Sequence, residues 1–372
     1  MKVFTRALES RIREHLFGKD MIVIFGPRQA GKTTLAKKII ADYGDVSAYY
    51  DCQLADVRKH FIIGRPDELL PLTNKKRIVV FDEAQTIPDI GTILKVYHDT
   101  YPGVQIIATG SSSFDLANRI VEPMTGRAIE FTLLPLSINE IASAGPISRA
   151  DLDVILLYGS YPRVVGAETV EQKEEAIKAI ATNYLYKDIF VFEAIRNAKI
   201  FEDLVKALAL QTGSLVSLHE LAQTVGTTRA TVNRYLRLLE QAFIVKRVHT
   251  FSNNPRTELK KAFKVFFFDG GVRNALVDIR TPLSERPDRG AIFENFVVGE
   301  RMKQGTLETF SPEIMFWRTR AKKEIDIIEK RGRDIMAYEC KWKRQDVSFS
   351  TFLDSYPEAR AAVISPDDFV RE

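Results

Sequence analysis

The run "MIVIFGPRQAGKTT", residues 21–34, constrains the fold of this chain more than any other stretch. Met21 to Phe25 are apolar without interruption and read as a buried strand, and the residues after Gly31 read as a helix over 32–41. Between them "GPRQAGKTT" matches the spacing G-x-x-x-x-G-K-[ST], in the strand-then-helix setting that gives the pattern its meaning. Gly26 and Gly31 let the backbone wrap a phosphate without Cβ clashes. Pro27, Arg28, Gln29, Ala30 and Thr34 complete the expected cradle, with Arg28 read as solvent-facing or structural. Backbone N–H groups and the helix N-terminus there offer donors to an anion. Lys32 is expected to neutralise the β- and γ-phosphates of ATP, and Thr33 to place its hydroxyl on Mg²⁺.

Further strands read at 46–51, 77–85, 104–113 and 128–134, with helices at 1–20 and 90–100. Apolar strands alternating with helices predict an α/β fold with a mostly parallel, helix-covered sheet. "RIVVFDEAQ" ends its strand in Asp82 and Glu83. Asp82 is placed to hold the Mg²⁺ water shell, and Glu83 is the candidate base for the attacking water. The alternative for the pair is an N-cap at a strand exit. Thr109, Ser111 and Ser112 end the next strand, either as γ-phosphate sensors or as an ordinary polar loop. Arg127, before the strand at 128, reads as an arginine finger or as a plain salt bridge. The finger would act in cis or across a subunit boundary of a homo-oligomer.

These features resemble the AAA-like P-loop ATPases of bacteria and archaea. More narrowly, "GPRQAGKTT", "FDEAQ", "TGSSS", "TGRAIEFTLLPLS", "YGSYPRVV" and "YLYKDIF" look like one prokaryotic ATPase family that joins an AAA-like domain to a C-terminal domain of unknown function. The resemblance covers nearly the whole chain and implies ATP and Mg²⁺ as ligands.

At 372 residues the chain exceeds what one core usually organises. We expect an AAA-like domain at 1–136, a helical connecting or lid region at 137–212, a winged-helix-like domain at 213–278 and a nuclease-like domain at 279–372. A formal net charge of +4 permits nucleic-acid contact without demanding it, so clustering decides. Cys52 and Cys340 are the only cysteines, which argues against a disulfide framework and for a reducing compartment. No apolar run suits a signal peptide or a membrane span, so a cytoplasmic protein with no membrane partner is expected.

"SLVSLHELAQTVGTTRATVNRYLRLLEQAFIVKRV", 214–248, reads as a helix-turn-helix with its turn at Gly226 and Thr228 capping the second helix. Arg229, Thr231, Asn233, Arg234 and Arg237 fall on the exposed face of that helix. Lys246, Arg247, Arg256, Lys260 and Lys261 follow in a wing-like stretch. DNA or RNA is the candidate partner, through major-groove or phosphate contacts. A structural lid or a protein-docking module is the alternative.

In "EIDIIEKRGRDIMAYECKWK", 324–343, strand alternation sets Glu339 and Lys341 on one face of a central strand. It also sets Glu324 and Asp326 opposite Ile325 and Ile327 in the strand before. Upstream, "RGAIFENFVVGERM" is a helix carrying Glu294 beside an apolar stripe. Helix with Glu, strand, strand with Asp, strand with Glu-x-Lys is the arrangement of the PD-(D/E)XK nuclease-like fold, although Ile325 stands where Pro is usual. That resemblance implies Asp326 and Glu339, assisted by Glu294, as ligands of a second Mg²⁺ or Mn²⁺, with Lys341 orienting water. A cross-strand salt bridge from Lys341 to Asp326 is the competing reading. Two functions stay open: an ATPase coupled to a nucleic-acid-facing, nuclease-like end, or an ATP-dependent regulator without nuclease activity.

Overall fold

Met21–Phe25 forms β1, buried along its whole length. The computed structural model describes residues 4–110, 126–183, 197–252, 263–279 and 281–370. Ser111, Ser112, Arg256, Lys260, Lys261 and the "YLYKDIF" segment lie outside them. The chain divides into two compact units, one spanning Thr5–Pro135 with Gln241–Phe243, the other Leu136–Glu240 with Ile244–Glu372 and the first residues.

In the first unit, β2 (Ser47–Asp51), β3 (Ile78–Asp82), β4 (Gln105–Gly110) and β5 (Ala128–Thr132) join β1 in one sheet. Its order is β2-β3-β4-β1-β5, and every pairing is parallel. All strands therefore end at the same edge, the edge where ligands gather in open α/β sheets. β1, β3 and β4 are buried on both faces, which explains their unbroken apolar runs. Met21, Val23 and Phe25 pack on one face with Phe81, Ile90, Leu94 and Tyr97. Helices α1 (Leu8–Glu14), α2 (Lys32–Ala41) and α3 (Ile90–Thr100) accompany the sheet. α1 is shorter than the expected 1–20 helix, because Phe17 adopts a left-handed backbone and the chain turns before Gly18.

The second unit holds the segments expected as connecting, winged-helix-like and nuclease-like. Helices α4 (Arg149–Tyr158), α5 (Val170–Asn183) and α6 (Ala198–Leu210) come first. Then α7 (Leu218–Thr224) and α8 (Arg229–Gln241) follow, joined through Gly226 at φ +69°. A small antiparallel sheet has the order β6-β8-β7, from β6 (Leu215–Val216), β7 (Val245–His249) and β8 (Phe263–Phe267). After α9 (Gly270–Leu276) comes the long α10 (Arg289–Gly305). Four strands follow, β9 (Glu313–Arg318), β10 (Glu324–Arg331), β11 (Asp334–Cys340) and β12 (Arg360–Ile364), with α11 (Ser350–Ser355) between the last two. Their order is β12-β11-β10-β9; β9, β10 and β11 run antiparallel, and β12 lies parallel to β11.

β10 departs from simple alternation. Ile325 pairs with Trp317 and Ile328 with Met315, so Asp326 and Ile327 together oppose Phe316. This β-bulge rotates the strand at the acid. Ile325 and Ile328 enter one core cluster with Phe352, while Ile327 enters the other with Phe293 and Tyr338. The expectation that Ile325 and Ile327 share a face is thus corrected.

Candidate functional sites

At the C-terminal edge of the five-stranded sheet, β1 runs into the loop Gly26–Gly31. Gly26 has φ +145°, and a Cβ there would lie 2.0 Å from the backbone oxygen of Leu133. No side chain fits, so glycine lets the loop press against the chain leaving β5. Gln29 and Gly31 also take positive φ, at +60° and +100°. Arg6 braces the loop from α1's side: its guanidinium donates to the carbonyls of Ala30 and Leu134, both at 2.6 Å. Ala30 is buried, Arg28 half-buried, Gln29 and Thr34 exposed. The buried Lys32 amine donates to the carbonyls of Gly26 at 2.8 Å and Pro27 at 2.9 Å.

Asp82 ends β3 beside this loop and is 4% exposed. Its carboxylate accepts from the Thr33 hydroxyl at 2.8 Å and from the Tyr49 hydroxyl at 2.7 Å, on the same oxygen. The Thr109 hydroxyl donates to its other oxygen. β4 lies between β1 and β3, which is why a polar residue at its end reaches the acid. The backbone N–H of Glu83 donates to Thr109 Oγ1 at 3.3 Å. Glu83 itself has φ +52°, a left-handed conformation costing about 1 kcal/mol outside glycine. Its carboxylate accepts from the Gln85 amide. Burial, then the Asp82 charge, pushes the Tyr49 hydroxyl well above its ordinary value, so it stays a donor. The Lys37 amine sits 4.1 Å from the centroid of the same ring.

The Gly26 cradle, the buried Lys32 amine and the Thr33–Asp82 hydroxyl–carboxylate pair fit a Mg²⁺–nucleotide. Arg6, Tyr49 and Gln85 escaped the sequence reading. Tyr49 left a trace as a polar-tipped residue in a strand, and Gln85 as the last residue of the "FDEAQ" run. Arg127 is placed otherwise than a cis finger requires. Its carbonyl accepts from Met21 N–H, at the start of β1, so it lies at the sheet edge opposite the phosphate loop. There its guanidinium pairs with Asp99 at 2.7 Å.

On α8, Arg229, Arg234 and Arg237 are exposed, as is Lys246 on β7. Thr228 caps the helix through the Thr231 N–H at 3.2 Å. Arg247 is withdrawn from that basic face: its guanidinium donates to Glu240 at 2.6 and 2.8 Å and to Asn233 at 2.9 Å.

In the second unit the acids converge, but with different partners from those expected. Asp326 accepts the Cys340 N–H at 2.9 Å, just past the last β10–β11 pair. Lys341 pairs with Glu339 at 2.8 Å rather than with Asp326, and the other Glu339 oxygen is buried without a hydrogen bond. Glu294 is ion-paired at 2.9 Å with Lys264, a residue of β8 that also holds Glu324 at 2.7 Å. Burial, then Glu339, raises the Asp326 carboxyl to about 6, and burial, then Asp326, raises that of Glu294 to about 8. Burial and then Asp326, Glu294 and Glu339 push the Cys340 thiol up, so it is kept protonated. Among the described residues no group of three acids, histidines or cysteines is arranged to hold a metal. The expected Asp326–Glu339–Glu294 ligand set is therefore corrected: Glu294 is committed to Lys264. A lysine inside the otherwise apolar "FKVFF" was the signal to read.

The comparisons agree with the P-loop fold of the first unit. A family described as "AAA domain" matches residues 18–142. Two domains of unknown function, DUF8612 and DUF4143, match 149–283 and 289–370. An uncharacterized protein of Mycobacterium tuberculosis is 26% identical over 99% of this chain and 81% of its own length. One of Methanocaldococcus jannaschii is 24% identical over 88% and 75%. A Walker-type ATPase of Pyrococcus abyssi shares the fold with a TM-score of 0.51, at 16% identity, over 74% of this chain and 96% of that one. Among the described residues no helix is long and apolar enough to cross a membrane. With its parallel sheet, its glycine cradle and its paired Thr33 and Asp82, the N-terminal part of this chain has the fold of the AAA-like P-loop ATPases that it resembles.

Proposed function

We propose that the chain hydrolyses ATP with Mg²⁺ and couples nucleotide state to a nucleic-acid-facing second unit. The observation that carries this reading is the Thr33–Asp82 hydrogen bond, which joins the phosphate loop to the acid of β3. Bound Mg²⁺ would supply charge neutralisation at the phosphates. Lys32 then turns from its two loop carbonyls toward the same phosphates. Asp82 is held in one orientation by Tyr49 and Thr109. Glu83, released by Gln85, orients the attacking water and takes its proton. Glu83→Gln is therefore expected to retain nucleotide binding and to lower turnover by about 100-fold, as phosphate release and fluorescent-nucleotide titration would show. Undiminished turnover would remove Glu83 from the mechanism.

The exposed arginines of α8 support nucleic-acid contact through phosphates. Duplex affinity should fall steeply with salt, and Arg234→Glu with Arg237→Glu should weaken it and flatten the salt slope by about 2. Unchanged affinity in that double variant would leave α7 and α8 a structural module.

For the C-terminal end, the order helix, three antiparallel strands, helix, parallel strand supports the PD-(D/E)XK-like reading, with Asp326, Glu339 and Lys341 as its residues. The second reading is a non-nucleolytic regulator. The Lys341–Glu339 and Lys264–Glu294 pairs favour it, since they neutralise the acids from within the chain.

A further inference from the structure

The Lys264 ammonium is 2% exposed and reaches three structural elements at once. It projects from β8, lies 2.9 Å from Glu294 on α10 and 2.7 Å from Glu324 on β10, and sits 5.3 Å from the centroid of the Phe316 ring on β9. The second oxygen of Glu324 takes Arg318 at 2.7 Å. Behind Glu294 stands Gly213, where a Cβ would come within 3.1 Å of the carboxylate. Burial opposes the lysine charge, and the two glutamates outweigh it. Two half-buried carboxylates flanking one buried cation, closed on one side by an aromatic ring, form a geometry that oxygen-seeking divalent ions also satisfy.

We propose that Lys264 is the resident cation of the acidic cluster: it occupies the place of a divalent ion between Glu294 and Glu324, and so confines any metal binding to the Asp326–Glu339 side. The inference deepens the nuclease-like reading and rests on it for the second clause only. It makes Lys264 a positioning residue that ties the small sheet to the four-stranded one. It also explains why Glu294, read from the sequence as a metal-assisting acid, is not available to a metal.

Lys264→Met tests this. The variant leaves the half-buried Glu294 without its cation and Glu324 with Arg318 alone, so the full chain should melt at least about 5 °C lower in chelator. Millimolar Mn²⁺ should restore most of that loss, and Mn²⁺ electron paramagnetic resonance, in nucleotide-free protein, should count one more bound ion than in wild type. The double variant Lys264→Met, Glu294→Gln should lose the rescue. If Lys264→Met fails to fold in chelator, its refolding yield with and without Mn²⁺ gives the same readout. The proposal is overturned if Mn²⁺ stabilises Lys264→Met no more than wild type. It is equally overturned if Glu294→Gln alone lowers the Mn²⁺ count of wild type. Failure of the nuclease-like reading looks different: Asp326→Asn would leave the wild-type Mn²⁺ count unchanged while the Glu294-dependent rescue persists.

Discussion

Lys32→Ala should lower ATP turnover by at least about 100-fold, the usual effect of removing one fixed charge aimed at a developing phosphate charge. The protein should still fold. In the structure the amine donates to the carbonyls of Gly26 and Pro27, which water can satisfy once the side chain is truncated. The loop itself is held by other means, through Gly26 against Leu133 and through Arg6 on Ala30. Phosphate release gives the turnover, and thermal melting separates catalysis from folding. Wild type should gain stability from Mg²⁺–ATP by mass action, and Lys32→Ala should gain much less. Turnover that survives the substitution would refute the assignment of the phosphate site.

Asp326→Asn should raise stability in chelator at neutral and alkaline pH, by about 2 kcal/mol. The carboxyl titrates at about 6 in the fold against 3.8 ordinarily, because burial and Glu339 disfavour its charge. Well below pH 3.8 it is protonated in both states, and the fold bears no penalty. As pH rises from 4 to 6 the unfolded chain ionises freely while the fold resists, so stability is lost. Above pH 6 the loss is complete, and two pKa units correspond to about 3 kcal/mol. Asp326 keeps partial contact with solvent, which trims the figure. Asparagine carries no charge and still accepts the Cys340 N–H, so it removes the penalty without orphaning the donor. Denaturant melts at about pH 3 and pH 8 should therefore coincide at the lower value and separate at the higher. A variant less stable than wild type at pH 8 would show that Asp326 serves packing. On the nucleolytic reading, Mn²⁺ should close the gap, and metal-dependent cleavage should vanish with the substitution.

The phosphate site was legible because its parts are local. A glycine loop between a buried strand and a helix is written in fourteen consecutive residues, and the acid of β3 announces itself by ending an apolar run. Element positions in the C-terminal sheet were legible for the same reason, since alternation and turn residues are short-range signals. What escaped depends on partners far apart in sequence. Tyr49 reaches Asp82 across 33 positions, Lys264 reaches Glu294 across 30, and Arg6 reaches Leu134 across 128. Arg127 was left open between a finger and a salt bridge for a related reason, and its pair with Asp99 is the second of these. Its distance from the phosphate loop follows from the strand direction of β5, which proximity to a strand in sequence does not reveal. Arg247 shows that a basic residue counts toward a binding face only after its internal acids are known.

The bulge in β10 makes chain length part of the C-terminal site. Two residues stand opposite Phe316, so the aim of Asp326 depends on a residue count as well as on a carboxylate. Removing Ile327 would return the strand to strict alternation and rotate the acid away from its present neighbours, with the Asp, Glu and Lys of the site still encoded. Relatives compared by letter alone could then share Asp, Glu and Lys and yet differ in whether the three meet. Spacing across this short interval is the character to compare when the C-terminal halves of such chains are sorted into those that assemble the cluster and those that only carry its residues.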